Sequence, residues 1–149
     1  MTTQAIFGAI TLQDMRANAS LTQLVMPLIA RACAHSGGRW TPEAVADGLI
    51  DGSLKLWGTM QPPKDLRAVA ITRMAPYESG VPVMELLLLG GPDHRGMFRF
   101  LPALKDLARR SGAERMVIVG KKGWADDLPE EWVQVATIYE CSLERAAQD

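Results

Sequence analysis

Leu21, Leu24, Val25, Leu28, Ile29 and Ala32 recur at intervals of three and four, the spacing that lines one face of a helix. Ser20 stands where a side-chain cap would start that helix, and Gly37-Gly38 where it would end. Pro27 falls inside the pattern and removes a backbone donor, which predicts a bend there or a later start. A second, shorter helix is expected next. Thr41 is its N-cap, Pro42 suits the first helical position, Glu43 favours the positive end of the dipole, and Asp51-Gly52 stops it.

From Ser53 the period changes to two. Leu54 and Leu56 alternate with Lys55 and Trp57, so residues 54–59 read as a strand, turned by Gln61-Pro62-Pro63-Lys64. Residues 68–74 read as the next strand and 75–80 as a hairpin loop. Residues 81–89 follow as a near-continuous apolar strand, which implies a central position covered on both faces. The run from Gly90 to Gly96 cannot continue that strand and opens a helix over 97–110, with Phe100, Leu101, Leu104, Leu107 and Ala108 on its buried face. Pro102 is tolerated only in a first turn, which moves the start toward Phe100. Residues 116–119 form a short strand, and the helical crossover makes it a parallel neighbour of 81–89. Residues 133–141 alternate as a last strand, and the polar tail beyond Leu143 frays. These elements describe an α/β protein with a mixed central sheet flanked by helices. Residues 1–52 are mainly helical, 53–143 form the sheet with one long helix, and 144–149 are a tail.

At 149 residues, a single domain with one hydrophobic core is expected. Apolar residues make up 48% and charged ones 22%, so folding is the default. A net charge of -1 gives no global field to hold a nucleic-acid backbone, so duplex binding would need a local patch. No apolar run approaches the roughly 20 residues that span a bilayer. The start of the chain lacks the pattern of a secretory signal. Cys33 and Cys141 fall in different elements and are expected to be buried thiols rather than a bridge.

Candidate chemistry is sparse. The Gly-rich turn of Gly90, Gly91 and Gly96, beside Arg95 and feeding a helix N-terminus, is where backbone amides could cradle a phosphate, although its spacing is neither a P-loop nor a dinucleotide pattern. Glu85 interrupts an apolar strand, so its carboxylate must be accessible or paired, with Arg73 across the hairpin as a partner. The other reading makes it a general base. His94 is an isolated loop histidine, and His35 suits the negative end of a helix dipole. Neither sits in a metal-ligand cluster, so no structural metal is expected. Lys121 and Lys122 beside Trp124 could meet nucleic acid by charge and stacking. Asp126, Asp127, Glu130 and Glu131 follow closely and oppose that, leaving Trp124 folded back onto the sheet.

The segments Trp40-Thr41-Pro42-Glu43, Gly52-Ser53-Leu54-Lys55-Leu56-Trp57, Ala68-Val69-Ala70-Ile71-Thr72-Arg73 and Gly120-Lys121-Lys122-Gly123-Trp124, with the apolar strand into Gly90-Gly91, resemble the GNAT superfamily. The likeness is to the GNAT-like proteins of tailed bacteriophages and prophages and covers about residues 40–143. It implies acetyl-CoA wedged between the central strand and the next, with its diphosphate on the following turn. The family pattern on that turn is Gln/Arg-x-x-Gly-x-Gly/Ala. Here Arg95-Gly96-Met97-Phe98-Arg99-Phe100 puts phenylalanine at both later glycines, where bulk would fill the diphosphate's space. The resemblance therefore implies a virion-associated structural protein without cofactor, assembled in the bacterial host cytoplasm. It would contact other virion proteins or copies of itself through exposed Met97, Phe98, Lys121, Lys122 and Trp124. The alternative is an acetyl-CoA-dependent N-acetyltransferase with Glu85 as base, Tyr139 as acid, and Gly90, Gly91, Arg95 and Gly96 at the cofactor. A nucleic-acid adaptor centred on Lys121 and Lys122 is the third reading.

Overall fold

A computed structural model describes residues 5–62, 65–93, 95–120, 124 and 126–143. The chain opens on strand β1 (Ile6–Ile10), where the pattern had predicted only helices in the first third. This strand is short and two of its five residues are small, so period two is hard to see in it. It exists because it pairs antiparallel with β2 (Leu54–Gln61), from Ile6 opposite Met60 to Ile10 opposite Leu56. A short helix follows, α1 (Leu12–Ala17), begun by a capping box. The Thr11 hydroxyl accepts the Asp14 amide, and the Asp14 carboxylate accepts the Thr11 amide.

Helix α2 (Ala19–Ala34) starts one residue before the expected cap. Asn18 performs that role, its side-chain oxygen accepting the amides of Ser20 and Leu21, so Ser20 is inside the helix rather than its N-cap. Pro27 lies within α2 at an exposed position, and the carbonyl that loses its helical donor belongs to Gln23, which is exposed as well. Helix α3 (Pro42–Asp51) has Thr41 as N-cap, Pro42 first, and Gly52 in the left-handed conformation at its end, as the sequence indicated.

The sheet has the order β1-β2-β3-β4-β5, completed by β3 (Asp65–Met74), β4 (Val83–Gly90) and β5 (Arg115–Ile118). The first four strands are antiparallel neighbours, and β5 joins β4 in parallel. That parallel step requires a crossover on one face. A 3-10 turn (Arg95–Phe100) and helix α4 (Leu101–Arg110) supply it, with Pro102 in the first turn of α4. One face of the sheet packs Leu56, Val69, Ile71 and Leu88 against Val25, Ile29 and Val45 of α2 and α3. The other packs Trp57, Ala70, Met84 and Leu86 against Met97, Leu104 and Ala108. Within that second layer the Trp57 indole donates to the Thr72 hydroxyl at 2.9 Å, which satisfies both buried polar groups.

Residues 133–143 do not form the expected last strand. They run alongside the body without pairing to any described strand, and every one of them is exposed. Cys141 is therefore exposed, contrary to expectation, while Cys33 is buried in the α2 layer. The expected turn residues Pro63 and Lys64, together with His94, Lys121, Lys122, Gly123 and the tail from 144, lie outside the described residues.

Candidate functional site

Strand β4 changes character halfway along. Thr72 pairs with Leu86, but the next residue back, Ile71, pairs with Leu88, so Leu87 is an extra residue on β4. Side-chain placement records the same bulge. Met84 and Leu86 lie on the α4 face, Leu87 and Leu88 both meet the α2 layer, and Leu89 returns to the α4 side. A bulge bends its strand and increases local twist. Accordingly β4 and β5 pair only from Val83 opposite Arg115 to Leu86 opposite Ile118, with a last hydrogen bond from the Val119 amide to the Leu86 carbonyl at 3.3 Å. Beyond that point Leu87 to Gly90 have β3 on one side and, among the described residues, no strand on the other.

The two strands thus open into a wedge, and a cavity of about 450 Å³ occupies it. Leu87, Leu88 and Leu89 form one wall, with Val119, Gly120, Trp124 and Ile138 facing them. The mouth is polar, edged by His35 and Arg39 at the end of α2 and by Trp40, Arg73 and Glu85. Arg73 Nη2 lies 3.3 Å from Glu85 Oε2, and the guanidinium stands 5.8 Å from the centre of the Trp40 ring. Glu85 is therefore paired with Arg73 as the sequence suggested, and it lines the cavity as well. The Arg73 Nε atom is buried and has no hydrogen-bond partner, leaving a donor beside the mouth. Arg39 Nη2 reaches Glu140 Oε2 at 3.1 Å, tying the C-terminal segment across the opening.

The glycine turn is built for packing. A Cβ on Gly90 would stand 2.7 Å from the Leu28 carbonyl, and one on Gly91 2.5 Å from the Arg67 carbonyl. Gly91 also has φ 123°, a conformation that side chains rarely adopt. The Gly96 amide donates to Asp93 Oδ1 at 3.1 Å, so it is already satisfied within the turn. Arg95 is exposed and pairs with Asp127 at 3.4 Å.

Three of the proposed surface anchors are in the interior. Met97 packs against the sheet beneath α4, and Phe98 and Trp124 meet edge to face at 5.6 Å between ring centres, with Leu101 beside them. Met97 and Phe98 were misplaced because apolar side chains beside a glycine-rich turn suggest a contact surface, whereas the 3-10 turn directs both inward, and Trp124 is buried in line with the reading that folds it back onto the sheet. Phe100 stacks on Phe7 of β1 at 5.3 Å, which holds the turn against the far strand. Tyr139 is 91% exposed and does not line the cavity.

Sequence reasoning missed the bulge at Leu87 and the roles of Arg39 and Trp40 at the mouth. In a strand apolar at nearly every position, an extra residue leaves no break in alternation.

No family model matches the sequence, and no curated protein does. Solved structures do match its fold. A GNAT family acetyltransferase from Staphylococcus aureus aligns with TM-score 0.62 at 12% identity, over 96% of this chain and 100% of its own. A putative acetyl transferase from Pyrococcus furiosus gives 0.64 at 12%, over 94% and 100%. AAC(6')-Iy, solved with the bisubstrate analogue CoA-S-monomethyl-acetylneamine, gives 0.59 at 13%, over 93% and 100%. Five strands in this order, flanked by helices on both faces, give this chain the fold of the GNAT acetyltransferases.

Proposed function

We propose that this chain is an acyl-coenzyme A-dependent N-acyltransferase whose acyl thioester enters the wedge between β4 and β5. The observation that carries this reading is the Leu87 bulge, which ends β4–β5 pairing and leaves an apolar cleft with a strand edge in its wall. An extended pantetheine arm carries amides that match such an edge. The neighbours of like fold support the same reading, and one of them was solved with a coenzyme A conjugate.

The fit differs along the cofactor. Leu87, Leu89, Val119 and Trp124 would enclose the thioester end, and coenzyme A would supply an activated acyl group there. At the diphosphate end the glycines are committed to packing, so the exposed cations Arg95 and Arg99 on the 3-10 turn would take the charge in place of glycine amides. Phe98 does not obstruct this surface, because its ring is buried against Trp124. At the mouth, Glu85 would meet the acceptor ammonium and take its proton, directly or through water. A virion packing role has less behind it, since Met97, Phe98 and Trp124, its expected contacts, are buried.

Calorimetric titration with acetyl-CoA tests the reading, combined with a thiol-release assay over a panel of amines. Saturable heat is expected, weakened at least tenfold in Val119→Trp, which places an indole in the wedge. Absence of heat at millimolar acetyl-CoA overturns it.

A further inference from the structure

The mouth of the wedge carries more positive charge than a plain amine acceptor calls for. Its polar edge sets the guanidiniums of Arg39 and Arg73 and the His35 imidazole around one carboxylate, Glu85. A site that received only an ammonium group would lose from two arginines so close by. Nor is the Arg73 fork used up by its partner. Both Glu85 oxygens meet the single nitrogen Nη2, at 3.4 and 3.3 Å, where a matched carboxylate would take two parallel bonds from the fork. Nε is buried, and no described residue offsets its loss of water. The Trp40 ring lies over the guanidinium and helps to hold it in place. Arg39 is engaged by Glu140 in an exposed pair at 3.1 Å, which can exchange partners at little cost.

We infer that the acceptor is a free α-amino acid, whose ammonium group meets Glu85 and whose carboxylate meets the Arg73 fork, with Arg39 as a second donor. The inference rests on the proposed acyltransfer and names the acceptor for the same site. The guanidinium is one rigid plane, so Nε stands close to the Nη2 that touches Glu85. The two charges of the ligand must then be equally close to each other. An ammonium and a carboxylate on one carbon meet that condition, whereas charges at opposite ends of a chain do not. In the transfer, Glu85 takes one ammonium proton and passes it to solvent, and the freed nitrogen bonds the thioester carbonyl carbon. The carbon–sulfur bond breaks, and the second nitrogen proton goes to the leaving thiolate, giving an N-acyl amino acid and coenzyme A. Arg73 holds the carboxylate throughout and moves no proton. An amine without that carboxylate leaves the fork unmatched, which is the basis for its rejection.

Thiol release from acetyl-CoA with each of the common amino acids, set against the corresponding amino acid amides, tests it. The best amino acid should exceed its amide in kcat/KM by about tenfold or more, the worth of one hydrogen bond to a charged group. Arg73→Lys keeps a charge and loses the fork, and should bring that preference to near unity while the amide's own kcat/KM changes little. Arg39→Gln, at an exposed position, should raise KM for the amino acid and leave kcat unchanged. Calorimetry with acetyl-CoA keeps the acceptor apart from the donor. If the donor binds and amides or peptide amino termini react as well as free amino acids, the inference is overturned and acyltransfer stands. If the donor binds and no amino acid releases thiol, the inference is overturned too. A loss in Arg73→Lys shared equally by amino acid and amide makes that residue a support for Glu85 alone and overturns the carboxylate assignment. Absence of donor binding removes the proposed activity and this acceptor together.

Discussion

Arg73 and Glu85 stand opposite each other on β3 and β4, joined at 3.3 Å at the mouth of the wedge, with Trp40 over the guanidinium. On the proposed reading, the pair holds one carboxylate where an acceptor amine would enter. It is also partly solvated, with 37% and 21% of the two side chains exposed, so it contributes little to stability.

Glu85→Gln separates those two roles. Stability should fall by no more than about 1 kcal/mol. Turnover should fall by roughly a hundredfold or more, the usual contribution of a general base, while acetyl-CoA affinity is kept. Urea unfolding and a thiol-release assay measure the two effects. Unchanged turnover would reduce Glu85 to a partner for Arg73.

Gly90 and Gly91 respond to a methyl group for reasons of packing. Gly90→Ala drives a Cβ against the Leu28 carbonyl, and Gly91→Ala against the Arg67 carbonyl at an unfavourable φ. Each should lower stability by about 1–3 kcal/mol, the range for overpacked sites, as read from the denaturation midpoint. A wild-type midpoint would show that the helix and strand can move aside.

These glycines also show what the sequence makes legible and what it hides. Glycines at the end of an apolar strand announce that a backbone must come close to something. They do not say whether that is a phosphate or, as here, the carbonyls of α2 and β3. Thr41, Pro42 and Gly52 delimit α3 correctly because caps act within a few residues. Strand β1 and the Leu87 bulge were invisible because each is defined by a partner far along the chain. The alternation of 133–141 suggested a last strand that the structure does not form, because alternation records local chemistry and says nothing of whether a partner strand is within reach.

The two cysteines should separate kinetically. Burial raises the Cys33 thiol above its ordinary range, and the charge of Glu43 adds to this, whereas Cys141 is exposed. In the native protein Ellman's reagent should modify one thiol quickly, with the second reacting only after denaturation. The raised value also sets a sign for stability. The fold prefers the neutral thiol, so this contribution is complete below the unfolded thiol pKa and fades as pH rises through the folded one. Cys33→Ala should flatten the alkaline limb of a stability profile, whereas an unaltered limb would assign it to other groups.

Trp124 divides the cavity from the aromatic cluster behind it. Its ring touches Phe98 on one side, leaves no room for a Cβ on Gly120 on another, and lines the wedge. Trp124→Leu removes that partition while keeping an apolar side chain. Stability should fall by about 2–4 kcal/mol, within the range for shrinking a large core residue. The cavity should lengthen toward Phe98 and Leu101. If the acyl group lies in the wedge, the variant should gain activity with butyryl-CoA relative to acetyl-CoA, as read from the ratio of kcat/KM values. An unchanged ratio alongside the expected loss of stability would place the acyl group away from Trp124, and the wedge would then be an opening in the sheet rather than the seat of the donor.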